Sequence, residues 1–238
     1  SYPKQFSKLF GGTTLFQNNA LRLASSDILK LAAQPVTLTS ADYRFIVGEQ
    51  LQEIGIDPGP ILIEPETKNT AAAILAASIF AQSSDQNAVL LVAPSDHVIP
   101  DKFDFHEAIK LGLTYVENRK MVTFGIKPTH AETGYGYLEL SVDSIDDNGT
   151  SNLKRFIEKP DLQDAKQMLK DGRYLWNAGI FLFRASVMIS HAKKLEADML
   201  KAVQAAVDGA SEDNSFWHID NAEWAKINGQ SLDYAILE

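Results

Sequence analysis

The sequence predicts an α/β protein with a mixed, mainly parallel sheet flanked by helices. Three observations carry that prediction. Short apolar runs alternate with helical patterns through the first half, the order of βαβ units. Residues 88–93 are continuously apolar, as expected for a parallel strand covered on both faces. In the second half, an Asp-Asp-Asn-Gly turn at 146–149 separates two short strand patterns, which predicts an antiparallel excursion.

Each element follows from local chemistry. Residues 36–38 read as a short strand. Ser40 then reads as the N-cap of a helix with Tyr43, Ile46, Val47, Leu51 and Ile54 on one face. Residues 61–63 form a second strand, closed by Glu64-Pro65, and 71–81 form an Ala-rich helix whose small side chains permit close packing. A helix over 104–116, a strand over 121–126, and strands over 137–140 and 153–157 follow. Asp161 caps a helix over 162–170, and Gly172 stops it. A Trp176-Asn-Ala-Gly179 turn leads into an apolar strand over 180–183, and 187–207 is mostly helical. With no repeat, linker or low-complexity segment, residues 1–238 are expected to form one domain.

Composition narrows the function. The chain of 238 residues is 45% hydrophobic and 22% charged, ordinary for a globular protein. A net charge of -9 argues against a nucleic-acid surface, which needs clustered Lys and Arg, but permits a small anionic ligand. The chain has no cysteine, which excludes disulfides and thiolate zinc sites. Its longest apolar run, 71–81, is too short to cross a bilayer, so a cytoplasmic enzyme is expected. The five histidines (97, 106, 130, 191 and 218) are dispersed and lack metal-ligand spacing.

Ligands of parallel α/β sheets bind beyond the carboxyl ends of strands. After 88–93 comes Pro94-Ser-Asp-His97, where Asp96 suits either Mg²⁺ or a backbone-bonded turn. After 61–63 comes Glu64-Pro-Glu-Thr-Lys-Asn-Thr70, opening into a helix whose N-terminal N–H groups can receive phosphate or polar base atoms. Here Glu64 can accept from two adjacent guanine donors. The other reading is that Asn69 or Thr70 only caps the helix. Thr133-Gly-Tyr-Gly-Tyr137 allows close backbone approach to a ligand, or is a plain glycine turn. Its spacing is not that of a dinucleotide fingerprint. Glu158 and Lys159 of Phe156-Ile-Glu-Lys-Pro160 face one ligand only if the strand ends or bends at Pro160. No nucleophile–base pair emerges.

Taken in order, these segments resemble the sugar-nucleotide pyrophosphorylases, most closely the bacterial mannose-1-phosphate guanylyltransferases. The matching pieces are Tyr2-Pro-Lys-Gln-Phe6, Glu64-Pro-Glu-Thr-Lys-Asn-Thr-Ala71, Pro94-Ser-Asp-His97, Thr133-Gly-Tyr-Gly-Tyr137, Phe156-Ile-Glu-Lys-Pro160, Trp176-Asn-Ala-Gly179 and Ser231-Leu-Asp-Tyr234. The resemblance implies a Rossmann-like nucleotidyltransferase fold of the glycosyltransferase-A kind. It also implies transfer of GMP from GTP to mannose 1-phosphate, giving GDP-mannose for polysaccharide synthesis. By resemblance, Lys4 contacts phosphates, Glu64, Asn69 and Thr70 read the base and its surroundings, and Asp96 holds Mg²⁺. Gly134, Glu158, Asn177 and Gly179 serve the mannose, and Lys159 its phosphate. Asp233 lies near the family's site without an assigned role.

Two departures from the family pattern stand out. Its first strand and Gly-rich, Arg-bearing phosphate loop should precede Tyr2, and its second metal carboxylate should fall beyond Glu238. The chain is therefore expected to be a truncated, inactive piece with a weakened Mg²⁺ site. Two other readings are a non-catalytic nucleotide-sugar-binding regulatory subunit and a pyrophosphorylase for another sugar. Oligomeric state is left open, a homo-oligomer included.

Overall fold

A computed structural model describes the chain apart from residues 1, 2, 9–11, 32, 33, 142, 143, 147 and 238 and the side chains of 236 and 237. Tyr2 of the first motif and Asp147 of the turn signal lie outside the described residues. The helices are α1 (Leu15–Leu23), α2 (Arg44–Glu53), α3 (Asn69–Ser84), α4 (Lys102–Glu117), α5 (Leu162–Asp171), α6 (Ala185–Leu195), α7 (Ala197–Asp208) and α8 (Asn221–Trp224). The strands are β1 (Thr37–Ser40), β2 (Ile61–Glu64), β3 (Val89–Val92), β4 (Val122–Ile126), β5 (Tyr137–Leu140), β6 (Leu153–Ile157), β7 (Tyr174–Arg184), β8 (Ser211–Asp213) and β9 (Phe216–His218).

The α/β class holds, with helices flanking one mixed and one antiparallel sheet. One sheet runs β1-β2-β9-β8, with β2 parallel to both β1 and β9. The other runs β3-β7-β5-β6, with β4 also against β7, and its pairings are antiparallel. Among the described residues, β1 and β3 each pair along one edge only.

Strand β7 organises the core because its 11 residues alternate faces. Phe181 and Phe183 join Leu75, Ile79, Met188 and Val203 of α3, α6 and α7. Ile180 and Leu182 face the other way, onto Ile109 and Val116 of α4. Each such side chain contributes about 1.5–3 kcal/mol through burial. Helix α3 is buried nearly all round, and Ser78 satisfies its hydroxyl on the Ile74 carbonyl at 2.8 Å.

Several elements match the sequence reading and others correct it. The β5–β6 pair has the expected bounds and direction, and α5 has the expected Asp161 cap and Gly172 stop (φ 78°). The 88–93 run is not a parallel strand: β3 pairs antiparallel with β7, and Val89 is 41% exposed. Its apolar character reflects two covered faces, since Leu90 and Val92 pack with α3 while Leu91 and Ala93 pack with α4. The Trp176-Asn-Ala-Gly179 segment is no turn but lies inside β7, where Gly179 takes φ 62° without ending the strand. Ser40 does not cap a helix through its side chain; a 3₁₀ turn, Ala41–Tyr43, comes first. The helical stretch 187–207 breaks at Glu196 (φ -137°) into α6 and α7. Helix α1 was not expected, although its Thr14/Gln17 capping box is a sequence-level signal.

Candidate functional site

Glu64 ends β2, and its environment is unusual. Its Oε1 is buried, and no described residue supplies a hydrogen bond to it. Burial pushes its carboxyl up to about 7. The loop that follows is held from below: the fully buried Trp224 donates its Nε1–H to the Glu66 carbonyl at 2.8 Å, and Lys68 pairs with Glu66 at 2.7 Å. At the start of α3, Asn69 has φ 64°, and its Oδ1 accepts from the Thr70 N–H at 2.9 Å. The Thr70 hydroxyl oxygen accepts from the Leu232 N–H at 2.9 Å, and the Ala71 N–H donates to the Gln230 carbonyl at 3.1 Å. Two of the helix N-terminal donors expected for a ligand are thus already used. Asn69 and Thr70 build the corner structurally.

Beyond β3, Asp96 pairs with Lys4 at 2.9 Å. Lys4 belongs to a 3₁₀ turn, Lys4–Phe6, whose Phe6 is anchored against Phe16 and Tyr43. The neighbouring His97 is held by Arg22, a residue that sequence reasoning did not single out. Arg22 is 6% exposed, donates to Asn19 Oδ1 at 3.1 Å and donates to the His97 carbonyl at 3.0 Å. Behind it, the fully buried His106 bonds the Arg22 carbonyl and the Ser26 hydroxyl, both at 2.7 Å. Burial lowers His97, Asp96 draws it back up, and Arg22 and Lys4 lower it further. Among the described residues no cluster of three or more His, Cys, Asp or Glu could hold a metal. A groove of about 400 Å³ lined by Leu15, Leu21, Arg22, His97 and Val98 includes none of Asp96, Glu158 or Asn177.

The remaining predicted residues converge around β7. Asn177 donates its Nδ2–H to Asp233 Oδ1 at 2.7 Å, and its Oδ1 accepts from the Gly179 N–H at 3.1 Å and from Thr123 Oγ1 at 3.4 Å. A Cβ on Gly179 would sit 3.8 Å from Pro94, which ties this strand to the Asp96 loop. Glu158 and Lys159 pair at 3.0 Å, and the hydrogen bond to Glu158 raises the Lys159 ammonium above its usual range. Lys159 takes φ 39°, so the backbone does bend before Pro160 and frees the pair from strict alternation. Gly134 is exposed, with its N–H on Glu132 Oε1 at 2.8 Å. The close approach belongs to Gly136 instead, where a Cβ would lie 2.5 Å from the Phe156 ring and 3.1 Å from Glu158 Oε2.

Residues 229–235 strap the two sides together. Gly229 packs against the Lys68 backbone, Gln230 and Leu232 bond the start of α3, Asp233 bonds Asn177, and Tyr234 meets the Phe156 ring edge-on at 6.5 Å. The result is a continuous arc from Lys4 and Asp96 through Gly179, Asn177 and Asp233 to Thr70. Gln230 and Arg22 carry no signal in the sequence, whereas the close approach at Gly136 matches the reading of the Thr133–Tyr137 motif, whose sugar role was placed on Gly134.

Comparison with known proteins agrees with this architecture. Residues 1–227 match the family described as nucleotidyl transferase. The whole chain is 41% identical to the xanthan biosynthesis protein XanB of Xanthomonas campestris, covering 49% of that protein. It is 40% identical to the mannose-1-phosphate guanylyltransferase RfbM of Salmonella typhimurium, again covering 49%. The chain thus spans about half the length of the curated relatives it matches. A crystal structure from Helicobacter pylori described as mannose-6-phosphate isomerase superposes with a TM-score of 0.86 at 30% identity, covering 100% of this chain and 89% of that one. No helix among the described residues is long and apolar enough to cross a membrane. With the fold, the arc of site residues and a match over nearly its full length, the chain belongs to the nucleotidyl transferase family.

Proposed function

We propose that the protein transfers GMP from GTP to mannose 1-phosphate, forming GDP-mannose and pyrophosphate. The observation that carries this reading is the strap, which sets the Glu64–Thr70 corner and the Asn177–Glu158 side into one arc. A two-substrate transfer needs such an arrangement, because positioning two anions is most of the catalysis. A phosphate oxygen of the sugar phosphate attacks the α-phosphorus of the nucleotide in line. A new P–O bond forms there, the bond to the β-phosphate bridging oxygen breaks, and pyrophosphate leaves. In this scheme Glu64 accepts from guanine, with Asn69 and Thr70 shaping that corner. Lys4 and Lys159 neutralise phosphate charge. Gly134, Glu158, Asn177 and Gly179 line the sugar. The relatives named as a guanylyltransferase and a xanthan biosynthesis protein support an enzyme that supplies a polysaccharide.

Mg²⁺ belongs to the same proposal. Asp96 fits as a single-carboxylate ligand, with phosphate oxygens and water completing the shell that this ion prefers. When bound, it would supply charge neutralisation at the phosphates. Lys4, 2.9 Å from Asp96, would then be free to face phosphate oxygens.

Pyrophosphate release by the full-length protein tests the reading, with GTP, ATP or UTP against mannose 1-phosphate or glucose 1-phosphate. The expected result is a preference for GTP with mannose 1-phosphate. Preference for another base or sugar would overturn the assignment. So would conversion of mannose 6-phosphate without pyrophosphate release, the activity named for the Helicobacter pylori protein.

A further inference from the structure

Asp233 is a carboxylate at the expected sugar side for which the motifs provide no role. It opens a π-helical turn, Asp233–Leu237. Its Oδ1 is aligned by the Asn177 amide at 2.7 Å, and among the described residues its partners are that amide and its own backbone N–H rather than a cation. The neighbouring charge is another carboxylate, Glu158. Burial raises the Asp233 carboxyl, the Asn177 bond draws it back, and Glu158 raises it again. Placing a half-buried carboxylate beside a second one opposes folding, and the nearby Lys159 ammonium is paired with Glu158 rather than with Asp233. Such a cost is characteristic of sites that await hydrogen-bond donors from a ligand.

The Asn177 amide is a poor acceptor for a ligand. Its Oδ1 already accepts from Gly179 and shares the single Thr123 hydroxyl proton with the Ile180 carbonyl, and one Nδ2 hydrogen goes to Asp233, leaving a single N–H free for a ligand. A carboxylate oxygen is the strongest acceptor for a hexose hydroxyl. Glu158 offers Oε2 on the Gly136 side, its Oε1 being paired with Lys159 at 3.0 Å, and Asp233 offers a second carboxylate on the Asn177 side.

We propose that Asp233 is a specificity-determining residue whose carboxylate, aligned by Asn177, accepts a hydrogen bond from a ring hydroxyl of the sugar phosphate. This inference rests on the proposed function above. Because Leu232 is tied to Thr70, the same segment that carries the sugar contact also closes the base corner.

The test is a variant-by-ligand cycle on the full-length protein, read by calorimetric titration. Wild type, Asp233→Ala and Asp233→Asn are each titrated with mannose 1-phosphate, its 2-, 3-, 4- and 6-deoxy analogues, and GTP. In wild type, one deoxy analogue should bind about tenfold or more weakly, the loss expected for a hydrogen bond to a charged acceptor. In Asp233→Ala that same analogue should bind as the parent sugar does, within about twofold, with GTP affinity unchanged on that scale. Asp233→Asn keeps an acceptor for Asn177 and should show a smaller penalty for that analogue. It also serves as the readout if the alanine variant fails to fold. A purely structural residue predicts the opposite: every deoxy penalty is the same in wild type and variants, or GTP binding falls alongside sugar binding. Either result overturns the proposal, as does unchanged binding of mannose 1-phosphate by both variants. If wild type binds glucose 1-phosphate in place of mannose 1-phosphate, the proposed sugar falls alone, and the deoxyglucose series decides Asp233. Binding of no hexose 1-phosphate overturns both.

Discussion

Glu64 should destabilise the free protein in proportion to its ionisation, and replacing it with Gln should reverse that. Its carboxyl lies at about 7 rather than 4.5 because burial opposes the charge and no described residue bonds Oε1. At about 1.4 kcal/mol per pKa unit the shift corresponds to about 3 kcal/mol, reduced to about 2–3 kcal/mol by partial exposure. The folded pKa is raised, so below 4.5 both folded and unfolded states are protonated and the penalty vanishes. It grows as pH rises toward 7 and is complete by pH 8. Urea denaturation of wild type and Glu64→Gln at pH 4.5 and pH 8 isolates the effect. The gain from the substitution at pH 8 minus the gain at pH 4.5 should be about 2–3 kcal/mol, equivalent to about 5–10 °C in Tm for a chain of this size. The cost of burying the amide is common to both pH values and cancels. A difference below about 0.5 kcal/mol would refute the argument that Glu64 is held ionised against burial. The same variant should bind GTP more weakly at pH 8, a stability gain at the expense of function.

Other perturbations have equally definite outcomes. Gly136→Ala should retain the fold but weaken sugar-phosphate binding about tenfold, because the added methyl must displace Phe156 and Glu158; circular dichroism together with titration would show it. His106→Leu should cost about 2–4 kcal/mol in urea denaturation, since it leaves the Ser26 hydroxyl and the Arg22 carbonyl without partners. Asp161→Ala should cost about 1 kcal/mol by the same measurement, through loss of the bond from the Asp164 N–H at 2.8 Å.

What the sequence reveals here is governed by distance along the chain. The β5–β6 pair and the caps of α5 were legible because turn and cap chemistry acts over a few residues. The direction of β3 was not, because an apolar run reports that both faces are covered and says nothing of which strand lies alongside. The Trp176-Asn-Ala-Gly179 segment looked like a turn because glycine and asparagine usually end strands, whereas pairing to β4 and β5 carries this one through. Lys4, Asp96, Glu158 and Asn177 could be named as candidates. Their grouping depends on contacts such as Leu232 to Thr70, 162 residues apart, for which no local pattern exists. Likewise, the missing partner of Glu64 is a property of packing, invisible in residue type.

The strap also sets a clock. Ribosomes add about 5–20 residues per second, so roughly 8–30 s separate the synthesis of Thr70 from that of Leu232, which bonds it. During that interval β1 and β2 can pair and α3 can form, while the corner at Thr70 stays open to solvent. Asn177 likewise waits for Asp233, 56 residues later. Most of the scaffold can therefore be native before the site is closed, and any ligand that binds only the closed site would pull the last segment home by mass action.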